Sequence, residues 1–292
     1  MKRLILNITL LVFMAFGSFN AMAHDSTVEY GITIPHDGEQ IAYGKSGSGG
    51  TVLICIHGWS LDSRLWQNQV SEFSKQYQVI TMDLAGHGNS SFNREEYTMI
   101  AFARDVKAVI EKEQFESVIL VGHSMAGGVI AEAAKLMPKR VKGIIGIDTS
   151  QNVALAVSQS DLDAMTKPFE ADFQAGITMF VKGSLPKGVG ADLLYWATQD
   201  MASAPPTIAI NQFRHYLGQY ATGEAHRVYE NVNVPVILVN ARLWPTDSEA
   251  NKKHIKDYSI YYIEDSGHFP MLEQPEQFNE TLMKAVKSGV SS

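Results

Sequence analysis

The feature that most constrains this chain is an alternation of short apolar runs with longer segments of helical periodicity. Five runs are apolar at nearly every position: 52–56, 79–82, 118–121, 141–147 and 236–239. Strands buried on both faces of a parallel sheet have this character. Between the runs, segments 65–73, 99–110 and 129–137 repeat apolar residues at helical spacing. The pattern predicts the α/β class, with a mostly parallel, doubly wound sheet joined by right-handed crossovers.

The alternation stops after Asp148 and resumes only where Pro235 introduces another apolar run. The interval contains helical patterns at 161–182 and 191–201 and turn signals at 184–188 and 205–206. Such an interval is too long for an ordinary loop in a compact domain. We therefore expect residues 150–225 to form a helical cap inserted into a core built from residues 24–149 and 226–292.

The N-terminus has the composition of a secretory signal peptide. Lys2 and Arg3 precede a mostly apolar stretch at 4–16, and Ala21 and Ala23 supply the small residues that signal peptidase requires. The stretch is shorter than the roughly 20 residues of a membrane span, although an uncleaved anchor is the alternative interpretation. We expect cleavage after Ala23, leaving a periplasmic or secreted protein that is not attached to a membrane.

Charge and cysteine content exclude several other classes. The formal net charge is -7 and no basic run follows the N-terminus, which argues against nucleic-acid binding. Cys55 is the only cysteine, so an internal disulfide is impossible. Its place within an apolar run predicts a buried core residue and not a nucleophile. A small molecule is the expected partner, and the sequence does not indicate an oligomeric state.

The strongest local motif is the hexapeptide at 122–127, Gly-His-Ser-Met-Ala-Gly, which follows an apolar run and precedes a helical pattern. A serine at a sharp strand-to-helix turn is held out above the sheet, and small residues two positions to either side let the turn close. Gly122 and Ala126 meet that requirement around Ser124. The start of the following helix also directs free N–H groups to the place where negative charge would develop.

Three further motifs follow predicted strands: His-Gly-Trp at 57–59, Asp-Leu-Ala-Gly-His-Gly-Asn-Ser at 83–90 and Ser-Gly-His-Phe-Pro at 266–270. Together with the serine motif, they resemble the α/β-hydrolase superfamily over essentially the whole chain after the signal peptide. The sequence is most similar to cap-bearing esterases, lactonases and carbon–carbon hydrolases. The resemblance implies that Ser124 is the nucleophile and His268 the general base. It also implies that the backbone N–H groups of Trp59 and Met125 form the oxyanion hole.

The acid that would complete a Ser-His-Asp triad is ambiguous. In most of the superfamily it follows the strand before the last, but here Trp244 stands where an aspartate is expected before proline. Asp247 is the nearest carboxylate, yet Thr246 and Glu249 have capping-box spacing that explains Asp247 as a residue of the first helical turn. Asp148 follows the strand at 141–147, from which some superfamily members supply their acid. We prefer Asp148 and keep Asp247 as the alternative.

The serine nucleophile limits the reaction type. Haloalkane dehalogenases and epoxide hydrolases of this superfamily attack with a carboxylate, which Ser124 cannot provide. We expect hydrolysis of a small to medium apolar ester or lactone through an acyl-enzyme. The alternatives are carbon–carbon bond hydrolysis of a ketonic substrate and a non-catalytic binding protein on the same scaffold. Apolar cap side chains that could line a pocket are Met165, Phe169, Phe173, Met179, Phe180, Leu193, Leu194, Tyr195 and Trp196.

The remaining histidines carry no comparable motif. Three follow predicted strands and are interpreted as turn-shaping residues: His57, His87 and His123. Five others lie outside any motif: His24, His36, His215, His226 and His254. No pair of them shows convincing metal-ligand spacing with a carboxylate, so we expect neither a metal site nor a cofactor.

Overall fold

The structure, a computed structural model, describes residues 28–290. The predicted signal peptide lies outside the described residues.

An eight-stranded sheet forms the centre of the described part of the chain. Its strands are β1 (Glu29–Thr33), β2 (Ile41–Ser46), β3 (Val52–Ile56), β4 (Gln78–Met82), β5 (Val118–His123), β6 (Val141–Ile147), β7 (Val236–Ala241) and β8 (Tyr258–Ile263). Their order is β1-β2-β4-β3-β5-β6-β7-β8, and only the β1–β2 and β2–β4 pairs are antiparallel. Every residue of β3, β5 and β7 is buried, as the continuous apolar runs require. The predicted fold class is confirmed.

Helices cover the sheet and fill the interval after β6. They are α1 (Gln67–Phe73), α2 (Met99–Lys112), α3 (Ala126–Leu136), α4 (Gln159–Ala171), α5 (Phe173–Ser184), α6 (Ala191–Ala202), α7 (Pro206–Thr222), α8 (Glu224–Glu230), α9 (Ser248–His254), α10 (Pro270–Glu273) and α11 (Pro275–Val290). Helix α3 packs against β5 and β6, and α11 packs against β6, β7 and β8. Within residues 28–290, no helix combines the length and the apolar character needed to cross a bilayer.

The segment between β6 and β7 is helical, but its elements differ from the sequence patterns. The pattern at 161–182 is two helices, because Asp172 ends α4 and caps α5 by accepting a hydrogen bond from the Ala175 N–H at 3.0 Å. The Pro205-Pro206 turn signal opens α7, a helix that the sequence analysis did not predict. Proline is tolerated there because the first turn of a helix needs no N–H partner.

Helices α4 to α7 pack on one another, and α8 contacts both α7 and the core helices α3 and α9. The predicted cap boundary at residue 225 falls within α8. Because β3, β5, β6, β7 and β8 run parallel, their carboxyl ends meet at one edge of the sheet. Ligand sites of open parallel sheets lie at this edge.

Candidate active site

Ser124 occupies a strained turn between β5 and α3. Its φ angle is 53°, in the left-handed region that non-glycine residues seldom adopt. A Cβ atom on Gly122 would lie 2.7 Å from the carbonyl oxygen of Ala126, so the turn needs glycine at that position. Ser124 is partly exposed, whereas the residues on either side of it are buried. The turn therefore presents the hydroxyl above the sheet edge, as the motif predicted.

His268 lies in the loop between β8 and α10, with its Nε2 atom 2.9 Å from Ser124 Oγ. Several hydrogen bonds fix this loop. The His268 N–H donates to the Ser184 carbonyl at 2.8 Å, and the Glu273 carboxylate accepts from the N–H groups of Gly267 and Phe269, each at 2.7 Å. The imidazole is buried, so its orientation is set by these contacts and not by solvent.

Asp148 completes a hydrogen-bonded chain with the serine and the histidine. Its Oδ2 atom lies 2.6 Å from His268 Nδ1, and its Oδ1 atom accepts from the Ala241 N–H at 3.0 Å. With Nδ1 protonated and donating to the carboxylate, Nε2 is free to accept the Ser124 hydroxyl proton. The structure thus brings Ser124, His268 and Asp148 together, although they come from three distant parts of the chain.

Asp247 has a different role in the structure. It is the N-cap of α9, where its carboxylate accepts from the Ala250 N–H at 2.9 Å, and its side chain is exposed. The sequence analysis expected Thr246 to cap this helix and Asp247 to lie in its first turn. That expectation is wrong by one residue, because the cap is Asp247. The Thr246 hydroxyl instead accepts a hydrogen bond from Asn240 Nδ2 at 2.9 Å.

Asn240 is a site residue that the sequence analysis missed. At the carboxyl end of β7, its side-chain amide pairs with both backbone groups of Thr149: Oδ1 accepts from the Thr149 N–H at 3.2 Å, and Nδ2 donates to the Thr149 carbonyl at 2.9 Å. The Thr149 hydroxyl in turn donates to the Ser124 carbonyl at 2.6 Å. Asn240 therefore ties the Asp148 loop to the serine turn. A polar residue ending a fully apolar strand was the available signal.

Trp59 and Met125 flank Ser124 with unpaired backbone donors. Within residues 28–290, neither N–H group donates to a carbonyl or to a side chain. Met125 directly precedes α3, so the helix dipole adds to the positive potential at its N–H group. The Trp59 ring is fixed by a hydrogen bond from Nε1 to the Ala209 carbonyl at 2.7 Å. The oxyanion-hole assignment stays a prediction that this arrangement permits.

The space above Ser124 is small. A cavity of about 10 Å³ reaches the serine, lined by Trp59, Leu61, His123, Ser124, Phe180, Met201, His268 and Phe269. This volume holds at most about one water molecule. The expected apolar pocket thus has an apolar lining but little room. Of the nine apolar cap residues named from the sequence, only Phe180 lines it.

Trp244, at the position where an aspartate was expected, lies against the imidazole of His268. The two ring centroids are 4.5 Å apart with an interplanar angle of 47°. Phe180 approaches the same imidazole edge-on, with ring centroids 6.1 Å apart, and also contacts Trp244. The departure from the superfamily pattern therefore replaces a carboxylate with an aromatic cover over the histidine.

Two other buried histidines at this edge of the sheet serve as hydrogen-bonding groups of turns. His57 Nδ1 lies 2.8 Å from the Gly58 carbonyl, and its Nε2 accepts from the Leu84 N–H at 3.0 Å. His123 Nε2 lies 2.7 Å from the carbonyl of His268. Burial lowers the pKa of both imidazoles, which keeps them neutral. Burial also raises the pKa of the Cys55 thiol to about 12, so this thiol is not a nucleophile at neutral pH.

Comparisons with known proteins agree with the architecture. Residues 51–186 match a family model described as the alpha/beta hydrolase fold. The chain is 26% identical over 253 residues to the AB hydrolase superfamily protein YisY of Bacillus subtilis, covering 80% of this chain and 90% of that protein. It is 24% identical over 273 residues to the Karrikin insensitive 2 receptor IA of Petunia hybrida, covering 84% of this chain and 94% of the receptor.

A solved structure shows the same fold. A thermophilic esterase from Thermogutta terrifontis, solved with malate bound, superimposes with a TM-score of 0.78 at 21% sequence identity. The superposition covers 89% of this chain and 99% of the esterase. The sheet, the serine turn and these similarities lead to one conclusion: the chain has the α/β-hydrolase fold, and its residues 51–186 match the model of that family.

Proposed function

We propose that this protein is a serine hydrolase that cleaves a small to medium apolar ester or lactone through an acyl-enzyme. One observation carries the proposal: an unbroken hydrogen-bonded chain runs from Ser124 Oγ through His268 to Asp148, with distances of 2.9 and 2.6 Å. A serine hydroxyl is a weak nucleophile until an adjacent, correctly oriented imidazole takes its proton. This chain of contacts supplies both the base and the group that orients it.

In the first half of the reaction, Ser124 Oγ bonds to the substrate carbonyl carbon as its proton passes to His268 Nε2. The N–H groups of Trp59 and Met125 stabilise the oxyanion of the tetrahedral intermediate; a donor of this kind contributes on the order of 3 kcal/mol. When the intermediate collapses, the leaving alkoxide takes the proton from Nε2 and the acyl group stays on Ser124. Asp148 balances the charge of the transient imidazolium.

In the second half, His268 removes a proton from water, and the resulting hydroxide attacks the acyl carbon. Collapse of the second tetrahedral intermediate breaks the bond to Ser124 Oγ, which regains its proton from Nε2. The products are a carboxylic acid and an alcohol, or a single hydroxy acid when the substrate is a lactone. None of these steps uses a redox or metal cofactor.

The cavity lining supports the substrate class. Trp59, Leu61, Phe180 and Met201 surround the serine with apolar surface, which favours an acyl group without charge. Because the space is only about 10 Å³, substrate entry requires the side chains of the cap to move. Phe180 and Met201 belong to helices α5 and α6, so displacement of these two helices would open the site.

Labelling with a fluorophosphonate probe tests the nucleophile. We expect one label per chain on Ser124, no label in Ser124→Ala, and normal labelling in Ser160→Ala. Ser160 is a suitable control because it is exposed and lies in cap helix α4. Equal labelling of wild type and Ser124→Ala would refute the proposed nucleophile.

A panel of chromogenic esters of graded acyl length, together with lactones, tests the substrate class. We expect turnover of short and medium apolar esters or lactones, declining for charged acyl groups. Hydrolysis confined to carbon–carbon bonds of ketonic substrates would favour the carbon–carbon hydrolase alternative instead.

A binding protein on the same scaffold is the second candidate. The similarity to a protein named as a receptor over 84% of this chain favours it. A receptor with an idle serine would bind ligand without labelling and without turnover. If the folded protein shows neither fluorophosphonate labelling nor ester turnover, the assignment would therefore shift to a binding protein.

We also propose that the chain is exported and that residues 1–23 are removed. N-terminal sequencing of the protein from the periplasm or the medium should then begin at His24. An intact N-terminus in a membrane fraction would indicate the uncleaved anchor.

A further inference from the structure

Three potential metal ligands converge on helices α8 and α9, and none of them lines the cavity at Ser124. His226 and Glu230 lie four residues apart on α8, so their side chains occupy one face of the helix. His254 is the last residue of α9, which packs against α8. One ligand atom from each of the three side chains lies within 4.8 Å of the other two.

We propose that His226, Glu230 and His254 bind a divalent transition-metal ion of the zinc type, with water completing a tetrahedral coordination sphere. Two imidazole nitrogens and one carboxylate oxygen are ligands that Zn²⁺ prefers, at about 2.0–2.2 Å from the ion. Tetrahedral geometry at those lengths separates ligand atoms by about 3.3 Å. Since the present separations do not exceed 4.8 Å, small side-chain rotations are enough to form the site.

The present contacts account for two of the three residues only. His254 Nδ1 lies 2.7 Å from Glu230 Oε1, an ion pair if the imidazole is protonated. His226 adds its ring to this pair, with a centroid 4.6 Å from that of His254, but its imidazole makes no hydrogen bond within the described part of the chain. A bound cation would use all three groups. Two imidazoles among three ligands favour zinc-type ions over Ca²⁺ or Mg²⁺, which prefer oxygen ligands.

The two helices that carry the ligands are held in place through Ser150. Tyr229 of α8 lies 2.7 Å from the Ser150 hydroxyl and also donates to the Gly127 carbonyl at 3.0 Å. Asn251 of α9 donates to the Ser150 carbonyl at 2.7 Å. Tyr229 and Asn251 are both buried, so the backbone positions of the ligands are fixed before a metal binds. Preorganisation of this kind lowers the entropic cost of binding.

The site is accessible to solvent. The side chain of Glu230 is 45% exposed and that of His254 is 23% exposed. A metal ion can therefore enter without opening the core. The sequence analysis expected no metal site because His254 lies far along the chain from the His226–Glu230 pair, and only the fold brings them together.

The experiment is a zinc titration by isothermal calorimetry at pH 7.5, using protein without an affinity tag that has been dialysed against EDTA. We expect saturable binding of one Zn²⁺ per chain, and a rise in melting temperature of about 5–10 °C at a hundredfold excess over Kd. Ca²⁺ should produce neither effect. The variants His226→Ala, Glu230→Gln and His254→Ala should each lose at least tenfold in affinity.

His36→Ala is the matched control, because His36 is exposed and belongs to no cluster, and it should bind Zn²⁺ like wild type. His226→Ala is the most informative variant, because it removes no side-chain hydrogen bond and loses only the ring contact with His254. Its melting temperature in EDTA should stay close to that of wild type. Absence of saturable binding in wild type would overturn the proposal, as would equal affinity in wild type and His226→Ala. Because the readout is metal binding, the result does not depend on whether the protein hydrolyses esters.

Discussion

Replacing Asp148 with asparagine preserves the shape of the side chain but should reverse the hydrogen bond to His268. The N–H of Ala241 needs an acceptor, so the amide oxygen of the new side chain takes the Oδ1 position, where the distance is 3.0 Å. The amide NH₂ group then faces His268 Nδ1, where the distance is 2.6 Å. Facing a donor, the imidazole must accept at Nδ1 and keep its proton on Nε2, which prevents it from deprotonating Ser124.

A wrong tautomer of this kind lowers kcat by about 10⁴-fold in a Ser-His-Asp enzyme. That factor corresponds to a barrier increase of about 5.4 kcal/mol. The assay is steady-state hydrolysis of the best chromogenic ester, with circular dichroism and melting temperature as checks that the variant is folded. We expect kcat to fall by about 10⁴-fold, with the fold unchanged.

Asp247→Asn is the matched control for Asp148→Asn. Asparagine is as good an N-cap as aspartate, so α9 should remain stable and kcat should stay within about twofold of wild type. A folded Asp148→Asn variant with nearly normal kcat would refute the reasoning. A collapse of activity in Asp247→Asn instead would move the acid to the superfamily's usual position.

Three further predictions concern packing and pH. Gly122→Ala should destabilise the protein by about 1–3 kcal/mol in denaturant unfolding, because the new Cβ would lie 2.7 Å from a carbonyl oxygen. The control Gly183→Ala should not destabilise it, because Gly183 is exposed in a helix with open space around it. Trp244→Ala should lower kcat/KM about 2- to 10-fold, because the ring contact with His268 is lost. Trp244→Phe should retain most of the wild-type kcat/KM. Unchanged kinetics in the alanine variant would contradict this role of Trp244. Burial, together with a neighbouring carboxylate, raises the pKa of Asp200 from 3.8 to about 7. The folded state therefore binds this proton more tightly than the unfolded state does. As a result, the folded state loses stability as the pH rises from about 4 to about 7. The melting temperature of Asp200→Asn, relative to wild type, should therefore increase between pH 5 and pH 8, and a constant difference would argue against this assignment.

The parts of the site that could be predicted from the sequence are those encoded locally. The serine turn depends on a strand, two small residues and a helix start that lie close together in the chain, so Ser124 was recognisable from one short segment. His268 was recognisable because it lies in a short motif, Ser-Gly-His-Phe-Pro at 266–270, that follows a predicted strand. The strand positions were also predictable, since burial on both faces leaves a continuous apolar run.

The remaining parts depend on which strand ends become neighbours in space. The choice between Asp148 and Asp247 could not be made from spacing, because both follow strands whose carboxyl ends lie at the same edge. The structure separates them: Asp148 bonds to His268, whereas Asp247 caps α9. The role of Asn240 in holding the Thr149 backbone is likewise a tertiary contact between residues far apart in sequence.

The cap was the least predictable region. Its helices bury side chains against one another and against the sheet edge, so their apolar patterns do not indicate which residues reach the serine. Phe180 does, whereas Met179 and Tyr195 are exposed. The small volume of the cavity, about 10 Å³, also arises from packing between cap and core, which local sequence patterns do not encode.

The central claim, that Ser124 forms an acyl-enzyme, is tested most directly by trapping that intermediate. The reaction with the best ester is quenched with acid within the first turnover, and the protein is digested and mapped by mass spectrometry. The account predicts one acyl group per chain, on the peptide that contains Ser124, and none on that peptide in His268→Ala. Turnover of the ester by wild type with the acyl group on another residue, or with no acylated peptide under conditions where deacylation is rate-limiting, would contradict it.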